Sequence, residues 1–415
     1  MQVETPNMLF ERLDGGRLSE QPLRTGTVLR PRVPVASTPA LLAETLSPRQ
    51  VGEIEADWRE LETRTLEPNA FHAADFLLAA CQHVRDGAAP HLIAIWEPAN
   101  LPAQRRLVGL FPFQKPRTDW SGSLLRGWTH PFVGFSAPLV DRVNADAIIA
   151  AALDHLHRNF PEMTAICLGG LATHGPIAAA FSRVTTAQGT LLSRLGHLQR
   201  ATLAEGQLKS LARPAGAKKL RQLRRRLSEV GTLDFAVAAT YSEVRAATED
   251  FLVLEAKGWK GARGSALLQD PDTSNFVRTM VWSAARHDHV RIASLSLDGR
   301  IIASVIMLVA QDTGYLWKIA YDEDFARFSP GVLLIEQFSQ QLLTDKTVAL
   351  VDSCAGEGYG MIEGLWSGRR AICDLMIGLG RGQTPAFLAS LARERFRRRL
   401  REKVKAAYKT LRARF

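Results

Sequence analysis

The stretch Trp317 to Gln337, WKIAYDEDFARFSPGVLLIEQ, decides how the rest of this chain is read. It predicts a strand from Leu316 to Tyr321 and an acidic, aromatic corner. Ser329-Pro330-Gly331 then opens a helix with apolar positions at Val332, Leu333, Leu334, Ile335 and Phe338. Proline in a first helical turn gives up no N–H that the helix needs, and glycine leaves the backbone bare to a ligand. Free N–H groups at a helix start suit an anion such as phosphate or pyrophosphate. Arg327, just before that start, adds a guanidinium that can grip an anion through two hydrogen bonds. The same pattern also describes an ordinary strand–loop–helix connection, because one glycine at a helix start is a weak motif.

Around this stretch lie 415 residues, enough for two domains of ordinary size. The apolar fraction of 46% and charged fraction of 23% are those of a globular chain, and no apolar run is long enough to span a bilayer. The start, MQVETPNMLFERLDGG, has acids and no apolar segment, unlike a secretory signal. Cys81, Cys167, Cys354 and Cys373 show no C-x-x-C spacing, which argues against zinc and for buried thiols in a reducing cytoplasm. The net charge of +10 is concentrated. Eleven lysines and arginines face two glutamates from Thr384 to Phe415, and eight face no acid from Lys209 to Arg226. The body that remains is mildly acidic, with two basic helices attached.

Along the chain, residues 1–40 read as poorly ordered, with Gly15-Gly16 and several prolines. Ser47-Pro48 is expected to cap a helix carrying Ile54, Trp58 and Leu61, followed by a helix over Ala74 to His83. A strand from His91 to Trp96, a turn at LPAQ (101–104) and a strand from Arg106 to Phe113 form a hairpin. A helix over Ala145 to Asn159 and a buried strand from Thr164 to Leu168 follow. The second half repeats this order. A basic helix lined by Leu220, Leu223 and Leu227 leads to a strand at Thr232 to Ala239, then helices at Tyr241 to Lys257 and Ser274 to His287. Strands at Val290 to Leu297 and Ile301 to Ala310 meet at Asp298-Gly299, a strong hairpin signal. The decisive stretch follows, then strands at Val348 to Cys354 and Ala371 to Leu379. This is an α+β order with two similar units in tandem.

Several segments in this order carry a resemblance: KKLRQLRRRLSEVGTLDFAVA (Lys218 to Ala238), EAKGWKG (Glu255 to Gly261), LDGRIIAS (Leu297 to Ser304), YLWKIAYDEDFARFSPGVLL (Tyr315 to Leu334), the Asp352 strand and Leu365-Trp366. Together they resemble a GNAT acyltransferase unit, and more closely the CelD-type GNAT-related acetyltransferases linked to bacterial exopolysaccharide and cellulose loci. The likeness covers about 200 to 380 well and about 45 to 200 weakly, as a degenerate first unit. It implies two tandem GNAT-like units at 41–200 and 201–383, each a mixed, mostly antiparallel sheet flanked by helices, with a basic amphipathic helix at 384–415. It also implies acetyl-CoA or another acyl-CoA as co-substrate and no metal. In the family an Arg/Gln-x-x-Gly-x-Gly/Ala loop holds the pyrophosphate. Here that place reads Arg327-Phe328-Ser329-Pro330-Gly331-Val332, with one glycine and one donor lost to proline. Arg327, Ser329, Gly331 and Val332 are thus the implied cofactor-binding residues.

Acyl transfer needs a base for the nucleophile's proton and a donor for the oxyanion. Tyr321 and Asp322 end the strand beside that loop, and Asp352 ends the next one, so the base or acceptor-binding carboxylate is expected at Asp352 or Asp322. Either aspartate equally fits a cap or surface turn. Lys318 is placed to bind an anionic acceptor or to snorkel from an edge strand, and Trp259 to stack on a sugar or to close the core. Cys354 has no histidine partner in sequence, and His287-x-His289 lacks further metal ligands. The expected activity is acyl transfer from acyl-CoA to an amine or hydroxyl of a sugar, envelope or exopolysaccharide precursor, in the bacterial cytoplasm or at the inner membrane surface. Two alternatives stand beside it: an aminoacyl-tRNA-dependent transferase of the FemAB kind, and an inactive GNAT-fold adaptor. In the tail, Leu388, Ala392, Phe396, Leu400, Val404, Tyr408, Leu411 and Phe415 form one helical stripe among arginines and lysines. That stripe suits either an anionic membrane surface or packing on the body.

Overall fold

The computed structural model describes residues 40–412, apart from 85–88, 100–104, 115–122, 209–213, 357, 359 and 381–383. The expectations for residues 1–39 and for the turn at 101–104 lie outside them. The first half begins with strand β1 (Leu42–Leu46) and helices α1 (Glu55–Glu62) and α2 (Ala74–His83). Strands β2 (His91–Glu97), β3 (Arg106–Gln114), β4 (Leu124–Gly127) and the short β5 (Leu139–Val140) follow. Helix α3 (Ala145–Asn159), strand β6 (Ala165–Ala172), helix α4 (Pro176–Gln188) and strand β7 (Leu192–Leu203) complete it.

The second half opens with α5 (Pro214–Ser228), β8 (Leu233–Ala238), α6 (Tyr241–Lys257), the single turn α7 (Trp259–Ala262) and α8 (Pro271–Arg286). Strands β9 (Val290–Leu297), β10 (Arg300–Ala310) and β11 (Thr313–Tyr321) lead to α9 (Pro330–Asp345) and β12 (Leu350–Asp352). The chain ends with α10 (Gly360–Leu365), β13 (Gly368–Gly378) and α11 (Thr384–Arg412).

Local chemistry fixes many of these bounds. Thr240 and Glu243 close a capping box at the start of α6, and Asp270 caps α8 with Pro271 in its first turn. Asp298 and Gly299 both take positive φ (50° and 79°), as a tight two-residue hairpin between β9 and β10 requires. The expected helix cap at Ser47 is corrected. Leu42–Leu46 is a strand, and the Ser47 hydroxyl donates to Gln50 Oε1 at 2.7 Å. A short 3-10 turn at Val51–Ile54 then leads into α1.

The strands form one sheet in the order β1-β2-β3-β4-β6-β13-β7-β12-β11-β10-β9-β8, with β5 pairing β3. The expected α+β, two-unit order is present. Each half runs strand, helices, antiparallel hairpin, a further strand, a crossover helix (α3 or α9) and a strand parallel to the one before it. The parallel pairs are β4 with β6 and β11 with β12. Each half then adds a helix and a last strand, β7 or β13, and these last strands are exchanged. β13 from the second half pairs with β6 of the first, and β7 from the first pairs with β12 of the second. The two pair with each other between Leu192 and Thr202, so residue 200, where the sequence divides the units, lies inside the exchange.

A buried aromatic seam joins the halves. Phe71 meets Tyr315 and Phe76 meets Phe276 and Trp317 across the halves, with Trp128 of the first half against Phe76, all with ring centroids 5.2 to 6.4 Å apart in edge-to-face pairs. Such pairs add about 0.5–1.5 kcal/mol each beyond burial. The seam's polar edges are satisfied: Tyr315 donates to the Pro68 carbonyl at 2.6 Å, and Trp317 Nε1 to the Phe132 carbonyl at 2.9 Å.

A charged clamp also crosses it. Asp75 of α2 accepts from Arg59 (3.0 Å), Ser283 (2.6 Å) and His289 Nδ1 (3.0 Å). Burial pushes the Asp75 carboxyl up, but bonds from His289, Ser283 and Arg59 outweigh it and hold it well below the carboxylate range. The Asp75 hydrogen bond raises His289, against the opposing effect of burial. Burial raises the neighbouring Glu62 to about 7. Both raised groups act in one direction: their stabilising protons are fully held below the unfolded pKa values and lost as pH rises through the folded ones. The clamp's contribution to the denaturant midpoint should therefore fall between pH 6 and pH 8. The midpoint difference between the native chain and His289→Ala should accordingly narrow as pH rises, whatever the buried His72, which burial lowers to about 3, adds to both. A slope unchanged in the variant would contradict the clamp.

Candidate active site

On one side β11 pairs with β10. On the other, β12 covers only Thr313, Gly314 and Tyr315, opposite Leu350, Val351 and Asp352. Beyond Asp352 the chain turns away. The Ser353 N–H donates to the Ala201 carbonyl of β7 at 3.1 Å, and Cys354 takes a left-handed φ of 51°. Asp352 fixes this turn by accepting from the Cys354 N–H at 2.8 Å, while Arg200 and Arg370 flank its carboxylate at 3.5 and 3.4 Å. Gly134 leaves room for it, since a Cβ there would lie 2.8 Å from both Cys354 Sγ and the Phe71 ring.

Among the described residues, β11 from Leu316 to Tyr321 thus has no strand partner on this side. The gap is a cavity of about 350 Å³, a volume suited to a small ligand. Its walls come from Lys318 and Tyr321, from Glu255, Trp259 and Lys260 at the end of α6 and in α7, and from the turn after β12. Bare strand edges require hydrogen-bond partners, and an extended ligand can supply them by lying alongside as an added strand.

A β-bulge shapes the β11 wall. Ile306 opposes Lys318 and Met307 opposes Leu316, so Trp317 is the extra residue. The Trp317 ring joins the aromatic seam and Lys318 lines the cavity, its Nζ 4.5 Å from the centre of the Phe132 ring. Burial first and the Lys260 charge second lower the Lys318 amine to about 8, with Glu255 opposing both. Glu255 is itself buried, ion-paired with Lys260, and accepts from the Leu267 N–H at 2.9 Å.

The structure brings Lys318, Tyr321 and Trp259 together at this cavity. It places the other expected residues elsewhere. Asp352 is fully buried in its arginine pair and does not line the cavity. Asp322 caps the 3-10 turn Glu323–Phe328 by accepting from the Asp324 N–H, and pairs with Lys257 and Arg300. Both aspartates have the hydrogen-bonded, ion-paired surroundings of positioning groups. Arg327, Ser329, Gly331 and Val332 surround the start of α9 and also lie outside the cavity lining. Ser329 is left-handed (φ 52°) with no side-chain cap, and Arg327 is exposed. At Gly331 an added Cβ would be in ordinary contact with Met361 and Tyr321, at 3.4 and 3.6 Å. Burial pushes the Cys354 thiol well up, so it keeps its proton at neutral pH. His287 and His289 serve the Asp75 clamp.

Sequence reasoning did not single out Glu255 or Lys260. A signal existed: Glu255 continues the buried stripe Val244, Thr248, Phe251 and Leu252 of α6, where a lone carboxylate is unusual. The Lys318 environment gives a direct test. Its amine should titrate near 8 when followed by NMR of the reductively methylated protein, and Lys260→Met should move it upward by removing a like charge. A midpoint near the ordinary lysine value would contradict this site.

Comparison with known proteins agrees with the second half. Residues 215–359 match the family model of an acetyltransferase (GNAT) domain. No curated protein matches the chain. The solved structure of FemX has a TM-score of 0.54 at 11% identity and covers 84% of this chain and 99% of that one. The C-terminal domain of a putative lysylphosphatidylglycerol synthetase from Agrobacterium fabrum has a TM-score of 0.48 at 14% identity, over 82% and 95%. A tandem GNAT protein from the clavulanic acid biosynthesis pathway has a TM-score of 0.40 at 15% identity, over 82% and 99%. At such identities the FemX likeness concerns the fold. What the chain shows is a likeness of residues 215–359 to a GNAT acetyltransferase domain, set within a two-unit α+β fold.

Proposed function

We propose that the cavity beside β11 is the catalytic site of an acyltransferase that takes an acyl group, in the first place acetyl, from acyl-CoA. The observation that carries this reading is the unpaired edge from Leu316 to Tyr321, which opens into a cavity with a desolvated amine at its wall. The extended, amide-containing arm of an acyl-CoA can bond to that edge as an added strand would. Its anionic end would meet the start of α9 at Gly331 and the Arg327 guanidinium, since the Val332 and Leu333 N–H groups already donate to the Ser329 carbonyl at 3.0 and 3.2 Å. The acceptor is an amine or hydroxyl, and a sugar or envelope precursor suits the half-exposed Trp259 as a stacking platform.

In this reading the acceptor attacks the thioester carbonyl carbon and its proton passes to the neutral Lys318 amine. The C–S bond then breaks, and the departing thiolate takes a proton from the Tyr321 hydroxyl or from water. Backbone N–H groups of the open edge stabilise the oxyanion. An amine held near 8 is close to the pKa that favours a general base at neutral pH. Asp352 and Asp322 hold the walls of the site in place.

A second reading, aminoacyl transfer from tRNA, is favoured by α5. Arg224 bonds Gln337 of α9 at 2.7 Å, which fixes the helix beside the second unit with Lys218, Arg221 and Arg225 exposed.

Calorimetry with acetyl-CoA, CoA and bulk tRNA separates the two. Acyl-CoA binding is expected, with Arg327→Ala weakening it by roughly 1.5–3 kcal/mol, the size of a lost charged hydrogen bond. Gly331→Val should also weaken it by filling the approach to the helix start. Lys318→Met should leave CoA affinity nearly intact but lower turnover by a factor of about 10² or more. Unchanged affinity in both cradle variants would remove the pyrophosphate assignment, and unchanged turnover in Lys318→Met would place the base elsewhere.

A further inference from the structure

The structure separates the two readings of the C-terminal helix. The body-facing side of α11 is made by Phe387 and Leu391, packed on Leu124, Cys167, Leu195 and Met376. Glu394 follows, buried and accepting from Arg126 at 2.8 Å, and Arg398 pairs with Asp374 at 2.7 Å. Of the predicted apolar stripe, Tyr408, Leu411 and Phe415 lie outside the described side chains, and the rest is not on that side. Leu388, Phe396, Leu400 and Val404 are 52%, 68%, 47% and 62% exposed, and the exposed Ala392 fills the gap between the first two.

Single exposed apolar residues are ordinary, but these recur every fourth residue and so form one continuous ridge along the helix. On a helix of 3.6 residues per turn, Arg395, Arg399 and Lys403 occupy the adjoining row on one side, and Arg393 and Arg401 the row on the other. All five are exposed. Arg194 of β7 lines a groove with the same arginine rows and extends the basic surface onto the sheet.

We propose that this face of α11 docks the protein onto an anionic lipid surface, with the apolar ridge at head-group depth and the basic rows on lipid phosphates. Charge complementarity selects this occupant. A nucleic acid would meet the arginines but leave Phe396, Leu400 and Val404 in water. A second copy would set like-charged rows against each other. Among the described residues no helix is long and apolar enough to cross a membrane, so α11 would lie in the interface. Nothing in this inference depends on what the cavity binds.

The test is co-sedimentation of the full chain with vesicles of phosphatidylcholine alone and of phosphatidylcholine with 30% phosphatidylglycerol. The native chain should pellet with the anionic vesicles and be released by salt. Phe396→Ser combined with Leu400→Ser should weaken binding at least tenfold or so through lost apolar insertion. Replacing Arg395, Arg399 and Lys403 with Gln should weaken it roughly 100-fold, as expected for three basic contacts. Both variants should keep native circular dichroism, because the body-facing residues are untouched. No binding by the native chain at low salt would overturn the proposal. So would equal binding by the serine variant, a change from dimer to monomer in that variant, or a preference for tRNA over vesicles.

Discussion

The parallel pairing of β11 with β12 lasts only three residues, and what ends it is a buried carboxylate held by two arginines. Asp352 is fully buried, and a carboxylate in that position is tolerable only when paired and hydrogen-bonded. Its partners come from different places: Arg200 on the last strand of the first unit, Arg370 on the last strand of the second. Arg370 also reaches Glu67 at 2.6 Å, and Arg200 donates to the Gly134 carbonyl at 2.7 Å. The exchange of β7 and β13 between the units is therefore what assembles this ion cluster. Such clusters add little net stability when whole, yet losing one member costs about 3–5 kcal/mol. Here the cluster steers the chain leaving β12 toward β7, away from β11.

From that turn the character of the site follows. With β12 gone, the backbone of Leu316 to Tyr321 has, among the described residues, a strand partner on one side only, and the space beside it is a cavity. The bulge at Trp317 sends the indole into the aromatic seam and leaves Lys318 at the cavity wall. Phe132, under the Lys318 amine, belongs to the first unit. The first half thus contributes to the desolvation that lowers this amine, and the two units are coupled through the site as well as through the sheet.

Much of the fold was legible locally. Helices α2, α3 and α6 begin and end where their apolar period and flanking residues place them, and Asp298-Gly299 announces the β9–β10 hairpin. Helix α4 was not read, although Pro176 and Gly189 mark a helix start and stop, because its alanine- and threonine-rich sequence has a weak period. Strand β7 was not read because Leu192, Leu195 and Leu198 recur every third residue rather than every second. The insertion of β13 between β6 and β7 joins residues some 200 apart in sequence, and no local pattern reports it. At the site, Lys318, Tyr321 and Trp259 were visible as polar or aromatic residues around a strand end. Asp352 and Asp322 look alike in sequence, and only the positions of Arg200, Arg370, Lys257 and Arg300 reveal how fully their oxygens are engaged. Glu255 and Lys260 were hidden for the opposite reason, since a charged pair at a helix end reads as solvent-exposed until its burial is known.

In the proposed site an acyl-CoA lies along the open edge of β11. Hydrogen exchange resolved at the backbone amides of Leu316 to Tyr321, with and without acetyl-CoA, tests it most directly. The ligand should slow exchange at these amides, while those of Thr313 to Tyr315, already opposite β12, change little. Binding that protects other segments and leaves Leu316 to Tyr321 unaltered would contradict it.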